Sequence, residues 1–103
     1  MKVEGWDTEH DGVLTEAALR RKLEKQGYEV TRYVYPPGTR FGAHTHAVDK
    51  IDAVLSGRFQ ITMDGHSIIL EAGDAVMVPC GEEHSAEVVG METVVSLDAV
   101  RIR

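Results

Sequence analysis

A single cysteine, Cys80, stands in the 103 residues, so an internal disulfide framework is excluded and a reducing compartment is expected. Membrane-length apolar runs are missing too. No stretch approaches the roughly 18 residues of a spanning helix, and the opening MKVEGWDTEHDG has no hydrophobic region of the kind a secretory signal needs. A cytoplasmic protein without membrane contact is expected. An excess of positive charge is also lacking. The formal net charge is −6, the reverse of the basic surface that nucleic-acid binding requires. The one basic cluster, Arg20-Arg21-Lys22, sits among Glu16, Glu24 and Lys25 and reads as a solvated helix face.

What is present is an ordinary globular composition, 43% hydrophobic and 27% charged, in a chain long enough for one core. A single domain over residues 1–103 is expected. One helix is predicted at about 15–26, TEAALRRKLEKQ, with Thr15 as N-cap and Gly27 at the exit. Its seam of Leu19 and Leu23 is too narrow to hold a helix alone, so it must lie on something larger.

That larger body is β structure. YEVTRYVY (28–35) ends at Pro36-Pro37-Gly38, IDAVLS (51–56) precedes Gly57, and FQITM (59–63) and HSIIL (66–70) flank the hairpin pair Asp64-Gly65. AVMV (75–78), HSAEVV (84–89) and ETVVSLDAV (92–100) follow. Some seven short strands with frequent turn signals predict an all-β sandwich or barrel, not a parallel sheet.

The residues HTHAVDK, 44 to 50, carry the chemistry. On a strand, alternate residues share a face, so His44 and His46 can address one point, half of a transition-metal site. His84 opens a later strand after Pro79-Cys80-Gly81, an arrangement that can bring it across the barrel to the pair.

These residues resemble the two motifs of the cupin superfamily, small jelly-roll β-barrels. The first, G-x5-H-x-H-x3/4-E-x6-G, is matched over 38–57 by Gly38, His44, His46, Lys50 and Gly57, with lysine where the glutamate stands. The second, G-x5-P-x-G-x2-H-x3-N, is matched over 73–88 by Gly73, Pro79, Gly81 and His84, with Val88 in place of asparagine. The resemblance implies a cupin-type jelly-roll β-barrel with one short N-terminal helix. It implies metal ligands at His44, His46 and His84, with Lys50 replacing a fourth.

A protonated lysine has no lone pair. About 5 Å from a divalent ion, at an effective dielectric near 20, its repulsion is roughly 6–7 kcal/mol before screening. Three arrangements relieve that: the head swings away, its pKa falls, or a neighbouring carboxylate compensates. Asp52 shares a strand face with Lys50 and is the candidate compensator or additional ligand; Asp49 is adjacent and faces away on a regular strand. Three imidazoles suffice for zinc, nickel, iron or copper, and three neutral histidines with no metal remain the alternative.

The functional expectation is a metal-dependent cupin acting on a small anionic metabolite, as a dioxygenase, isomerase or decarboxylase, with Lys50 as acid–base group or carboxylate-binding cation. The alternative is a non-catalytic small-molecule-binding module with a metal-free cationic pocket. A regulator with an added DNA-binding segment is not expected at this length. Homodimer formation is expected from exposed strand edges. Cys80, His66 and His10 read as loop and surface positions. Tyr28, Tyr33, Tyr35, Phe41, Phe59, Met63 and Met77 read as core whose unfilled remainder forms a cavity. Arg58 or Gln60 is a candidate hydrogen-bonding group at its mouth.

Overall fold

The computed structural model describes residues 1–101. In chain order the elements are β1 (Val3–Glu4), α1 (Thr8–Asp11), α2 (Glu16–Lys25), β2 (Tyr28–Tyr35), β3 (Arg40–His44), β4 (Lys50–Ser56), β5 (Phe59–Met63), β6 (His66–Leu70), β7 (Ala75–Val78), β8 (His84–Val88) and β9 (Val94–Arg101). Two elements go beyond expectation: the short strand β1 and the single turn α1. The turn is capped by Asp7, whose side chain accepts from the amides of Glu9 and His10. The predicted helix begins and ends within a residue of its expected bounds, with the Thr15 hydroxyl accepting from Ala18 N–H at 3.1 Å.

The strands form two antiparallel sheets, β1-β7-β4-β9-β2 and β3-β8-β5-β6, and among the described residues no strand is hydrogen-bonded across from one to the other. The expected barrel is therefore not closed; it is a jelly-roll sandwich. At the β5–β6 hairpin Asp64 and Gly65 have φ of 53° and 75°, the doubly positive pair that a tight two-residue turn demands. Gly57 is constrained more severely. Its φ is 82°, and a Cβ there would lie 2.6 Å from the Thr93 carbonyl oxygen, so only glycine lets β4 turn into β5.

The central strands β4 and β9 of the five-stranded sheet are largely buried on both faces, whereas its edge strands β1 and β2 are mostly exposed, and side-chain alternation sorts the two faces. Ile51, Ala53, Leu97, Ala99 and Tyr28 face outward and are covered by Leu19 and Leu23 of α2, which gives the helix the larger body it needs. Val54, Val76 and Val94 face inward against Phe59, Ile61 and Leu70 of the second sheet. Because period two holds along β4, Lys50 and Asp52 share the inner face with Val54 and are themselves buried. The sandwich interior is thus apolar at one end and polar at the other. Core assignment holds for Tyr28, Phe59 and Met63, but Tyr33 and Met77 are exposed.

Leu97 is fully buried between β4 and α2. Leu97→Ala is expected to cost about 2–5 kcal/mol, read as a lower urea midpoint with an unchanged slope in equilibrium unfolding.

Candidate metal centre

His44 is the last residue of β3 and stands directly opposite His84, the first residue of β8, in neighbouring strands of one sheet. The third histidine reaches the pair as a strand neighbour, not across the sandwich. His46 is not on the strand: β3 ends at His44, and His46 lies in the connection to β4. That connection is tied to the loop before β8. Gly81 N–H donates to the His46 carbonyl at 2.9 Å, and Cys80 N–H donates to Asp49 Oδ1 at 2.7 Å. The Asp49 carbonyl in turn accepts from Arg101 N–H at 2.9 Å. Asp49 is thereby spent on holding two loops together.

The three rings converge, with centroids 4.9 Å apart for His44 and His46, 4.3 Å for His44 and His84, and 5.1 Å for His46 and His84. One candidate ligand atom from each lies within 4.8 Å of the others. Their hydrogen bonds define the lone pairs. A carbonyl can only accept, so Nδ1–H of His44 donates to Gly42 O at 2.6 Å and Nδ1–H of His84 donates to Glu82 O at 3.0 Å. In both rings Nε2 is left as the basic nitrogen. His46 Nε2 is buried with no hydrogen-bond partner. Burial first, then the Lys50 ammonium and the two other imidazoles, hold the His46 pKa below its ordinary value, so that ring keeps its lone pair. A buried unpaired nitrogen beside two rings oriented from behind by backbone carbonyls is a donor set that fits a transition metal.

Lys50 and Asp52 do not join that cluster; among the described residues it comprises the three histidines. Lys50 Nζ lies 3.2 Å from Asp52 Oδ1 and 2.8 Å from Asp98 Oδ1. Asp98 faces Asp52 across the β4–β9 ladder. Of the three ways to relieve the lysine's charge, carboxylate compensation is the one adopted, and twice over. The contact with Asp98 is a charge contact, since Asp98 Oδ1 has no hydrogen bond of good geometry. Burial pulls the Lys50 pKa down, but Asp52 and Asp98 outweigh it and the net shift is upward from 10.5, so the neutral amine considered above is disfavoured. Burial pushes Asp52 upward, Lys50 opposes this and Asp98 adds to it. The two shifts are consistent. One ammonium facing two carboxylates is over-matched, and the more deeply buried carboxylate is under-matched.

The histidines and the ion trio share a cavity of about 360 Å³, walled by Tyr33, Tyr35, Phe41 and Phe59. Tyr35 meets Phe41 edge-on at 5.0 Å and stacks on Phe59 at 5.4 Å. Burial, then Asp98 and Asp52, raises the Tyr35 hydroxyl above the ordinary phenol value, which keeps it protonated. Arg58 and Gln60 do not line this cavity, and Cys80, His66 and His10 are exposed. Asp98 was missed in the sequence. Its signal was a charged residue on the face opposite Leu97 and Ala99 in a strand otherwise suited to burial.

The jelly-roll sandwich, with three histidines supplied by β3, its following loop and β8, defines a class. The chain belongs to the cupin family, whose domain model matches residues 31–100. It is similar to a conserved protein of unknown function from Streptococcus pyogenes at 26% identity and TM-score 0.65, over 74% of this chain and 65% of that one. A predicted oxalate decarboxylase from Thermotoga maritima aligns at 25% identity and TM-score 0.67, over 81% of this chain and 74% of that one. The DMSP lyase DddQ from Ruegeria pomeroyi aligns at 25% identity and TM-score 0.65, over 73% of this chain but 38% of the lyase. Among proteins of curated function, none matches the sequence. None of the helices among the described residues is long and apolar enough to cross a membrane.

Lys50→Met leaves Asp52 and Asp98 opposed with no cation between them. The folded pKa of Asp52, already raised above the unfolded value near 3.8 by burial, then loses the lysine that holds it down and rises further, so the stability it contributes is present at low pH and lost as pH rises through the raised value. The variant is expected to be near wild type around pH 4 and to lose about 3–5 kcal/mol by pH 8, measured by urea unfolding at both pH values. A loss that is the same at both would show that the lysine is not what balances the two carboxylates.

Proposed function

We propose that this cupin is metal-dependent, with one divalent transition ion held by His44, His46 and His84, and that it acts on a small anionic metabolite. The observation that carries the reading is the state of the three rings. Two donate Nδ1–H to backbone carbonyls, which leaves Nε2 to the site, and the third keeps a buried Nε2 without a partner. Three neutral nitrogen donors suit zinc, nickel, copper or iron(II), whereas magnesium and calcium require oxygen ligands. Such an ion, when bound, supplies a Lewis acid that polarises a substrate oxygen or lowers the pKa of water.

The chain's own residues divide the remaining work. The aromatic wall excludes water and fixes the size of what enters. The Tyr35 hydroxyl, held protonated, is a hydrogen-bond donor in the cavity. Lys50 is not an idle cation awaiting a carboxylate, because Asp52 and Asp98 already match its charge. The attraction for an anion therefore resides at the histidine end. This also weighs against the metal-free cationic pocket, whose excess positive charge would have had to come from Lys50. A decarboxylase, isomerase or dioxygenase reaction remains the class of chemistry; names carried by structural relatives at about 25% identity support the class and not a substrate.

Untagged protein is expected to carry about one equivalent of a transition metal by inductively coupled plasma mass spectrometry, and His44→Ala to lose most of it. Absence of metal after incubation with zinc, nickel, copper(II) and iron(II) would refute the metal-dependent reading.

A further inference from the structure

We infer that the ligand is a zwitterion: its anionic group goes to the histidine end of the cavity and an organic cation, an alkylated ammonium or similar onium group, goes to the end formed by Asp98 and the aromatic wall. Only the anionic half rests on the metal reading above.

Charge places the cation. In the trio one ammonium faces two carboxylates, so negative charge is in excess at that end. The excess is reachable on one of them. The Asp52 side chain is 9% exposed, whereas that of Asp98 is 20% exposed and lines the cavity. Asp98 Oδ1 is itself buried against Lys50 Nζ at 2.8 Å, so the exposure of this side chain lies on its other atoms, and it is there that a ligand meets it. An anion brought here meets like charge beside it. A cation meets a carboxylate in a partly desolvated setting, where the attraction is strongest.

The wall selects the kind of cation. Tyr33, Tyr35, Phe41 and Phe59 border the same cavity, with Phe41 turned 69° from Tyr35 and 84° from Phe59. Their faces carry the negative part of the ring quadrupole, and few groups beside them replace the hydration shell of a hard ion. Alkylated ammonium, weakly hydrated and apolar at its rim, suits both the rings and the carboxylate. The cavity of about 360 Å³ is at the small end for ligand pockets, so the two charges of the ligand must be separated by only a few bonds. The site then matches opposite charges at opposite ends, and a simple monocarboxylate satisfies only one of them.

Two probes isolate the cation: 3-(trimethylammonio)propanoate and 4,4-dimethylpentanoate have the same shape and the same carboxylate and differ by nitrogen for carbon. Titration calorimetry on the zinc-incubated full chain is expected to give at least about tenfold tighter binding of the zwitterion, although the neutral head is the more hydrophobic. Asp98→Asn is expected to bring the ratio close to one with zinc content unchanged. Phe41→Leu, which leaves every charge in place, is expected to lower the ratio several-fold. If Asp98→Asn does not fold, Phe41→Leu and Tyr33→Leu decide the matter. Should the histidines hold no metal, both probes weaken together while their ratio stands, so failure of the metal reading is separable from failure of this one. A ratio of one or less in the wild type, or a ratio untouched in every variant that folds, overturns the inference.

Discussion

One ammonium between two carboxylates, buried where two central strands face the cavity, is the constraint around which this site is arranged. Lys50, Asp52 and Asp98 lie on β4 and β9, which neighbour each other in the middle of the five-stranded sheet. Taking the lysine away leaves two carboxylates uncompensated in a low-dielectric wall, whereas taking either carboxylate away leaves a matched pair. Replacing all three with apolar residues of similar volume is, by contrast, commonly neutral or even stabilising by about 1–4 kcal/mol. Stability is therefore a poor reason for the trio to exist. What it does supply is a fixed charge in a cavity that apolar residues would leave featureless. Position 50 falls where the cupin motif places a glutamate; here its side chain is turned into the wall and serves the carboxylates beside it.

The same two strands explain why the cavity lies where it does. Along β4 the inner face runs Lys50, Asp52, Val54, and along β9 it runs Asp98, Ser96, Val94. Both series pass from charged to aliphatic in the same spatial direction, because the strands are antiparallel. At the aliphatic end Val54, Val94, Phe59 and Leu70 interlock and fill the sandwich. At the charged end Val78 is buried opposite Lys50 but a cavity remains, and the rings of Tyr35, Phe41 and Phe59 form the boundary between the two. The aromatic residues thus belong to the core on one side and to the binding surface on the other.

Local chemistry in the sequence was legible where it is self-sufficient. The Asp64-Gly65 turn needs only two positive φ angles, the Thr15 cap needs one hydroxyl, and both stand as expected. Period two also placed Asp52 beside Lys50 before any partner strand was known. The failures are all non-local. Asp98 joins the trio through a strand register, Asp52 opposite Asp98, that no sequence pattern specifies. His46 was expected on a strand because H-x-H fits an alternating face. The strand stops at His44 instead, and the loop is held by a hydrogen bond from Gly81 in another part of the chain. Asp49, expected to face away from Lys50 on a regular strand, is committed to the Cys80 amide, a partner 31 residues away that its neighbours in sequence do not announce. Closure of the barrel failed for a related reason: the count of strands was nearly right, but pairing between the two sheets is absent among the described residues.

The loop ties bear on how ready the histidines are. His44 ends one strand, His84 begins its neighbour, and His46 sits on a connection pinned at both Gly81 and Cys80. Each support is fixed by backbone pairing that requires no ion. The imidazoles of His44 and His84 are further fixed in tautomer by carbonyls two residues upstream, Gly42 and Glu82. Ordering these side chains is therefore part of folding, and an arriving ion has little conformational entropy left to overcome. Preorganisation of this kind sharpens selection among metals as well. Rigid nitrogen donors cannot rearrange to offer the six or more oxygens that calcium takes, and the nearest carboxylates are restrained by Lys50. The lysine that stands in the place of a ligand thereby helps to decide which ions the remaining ligands can hold.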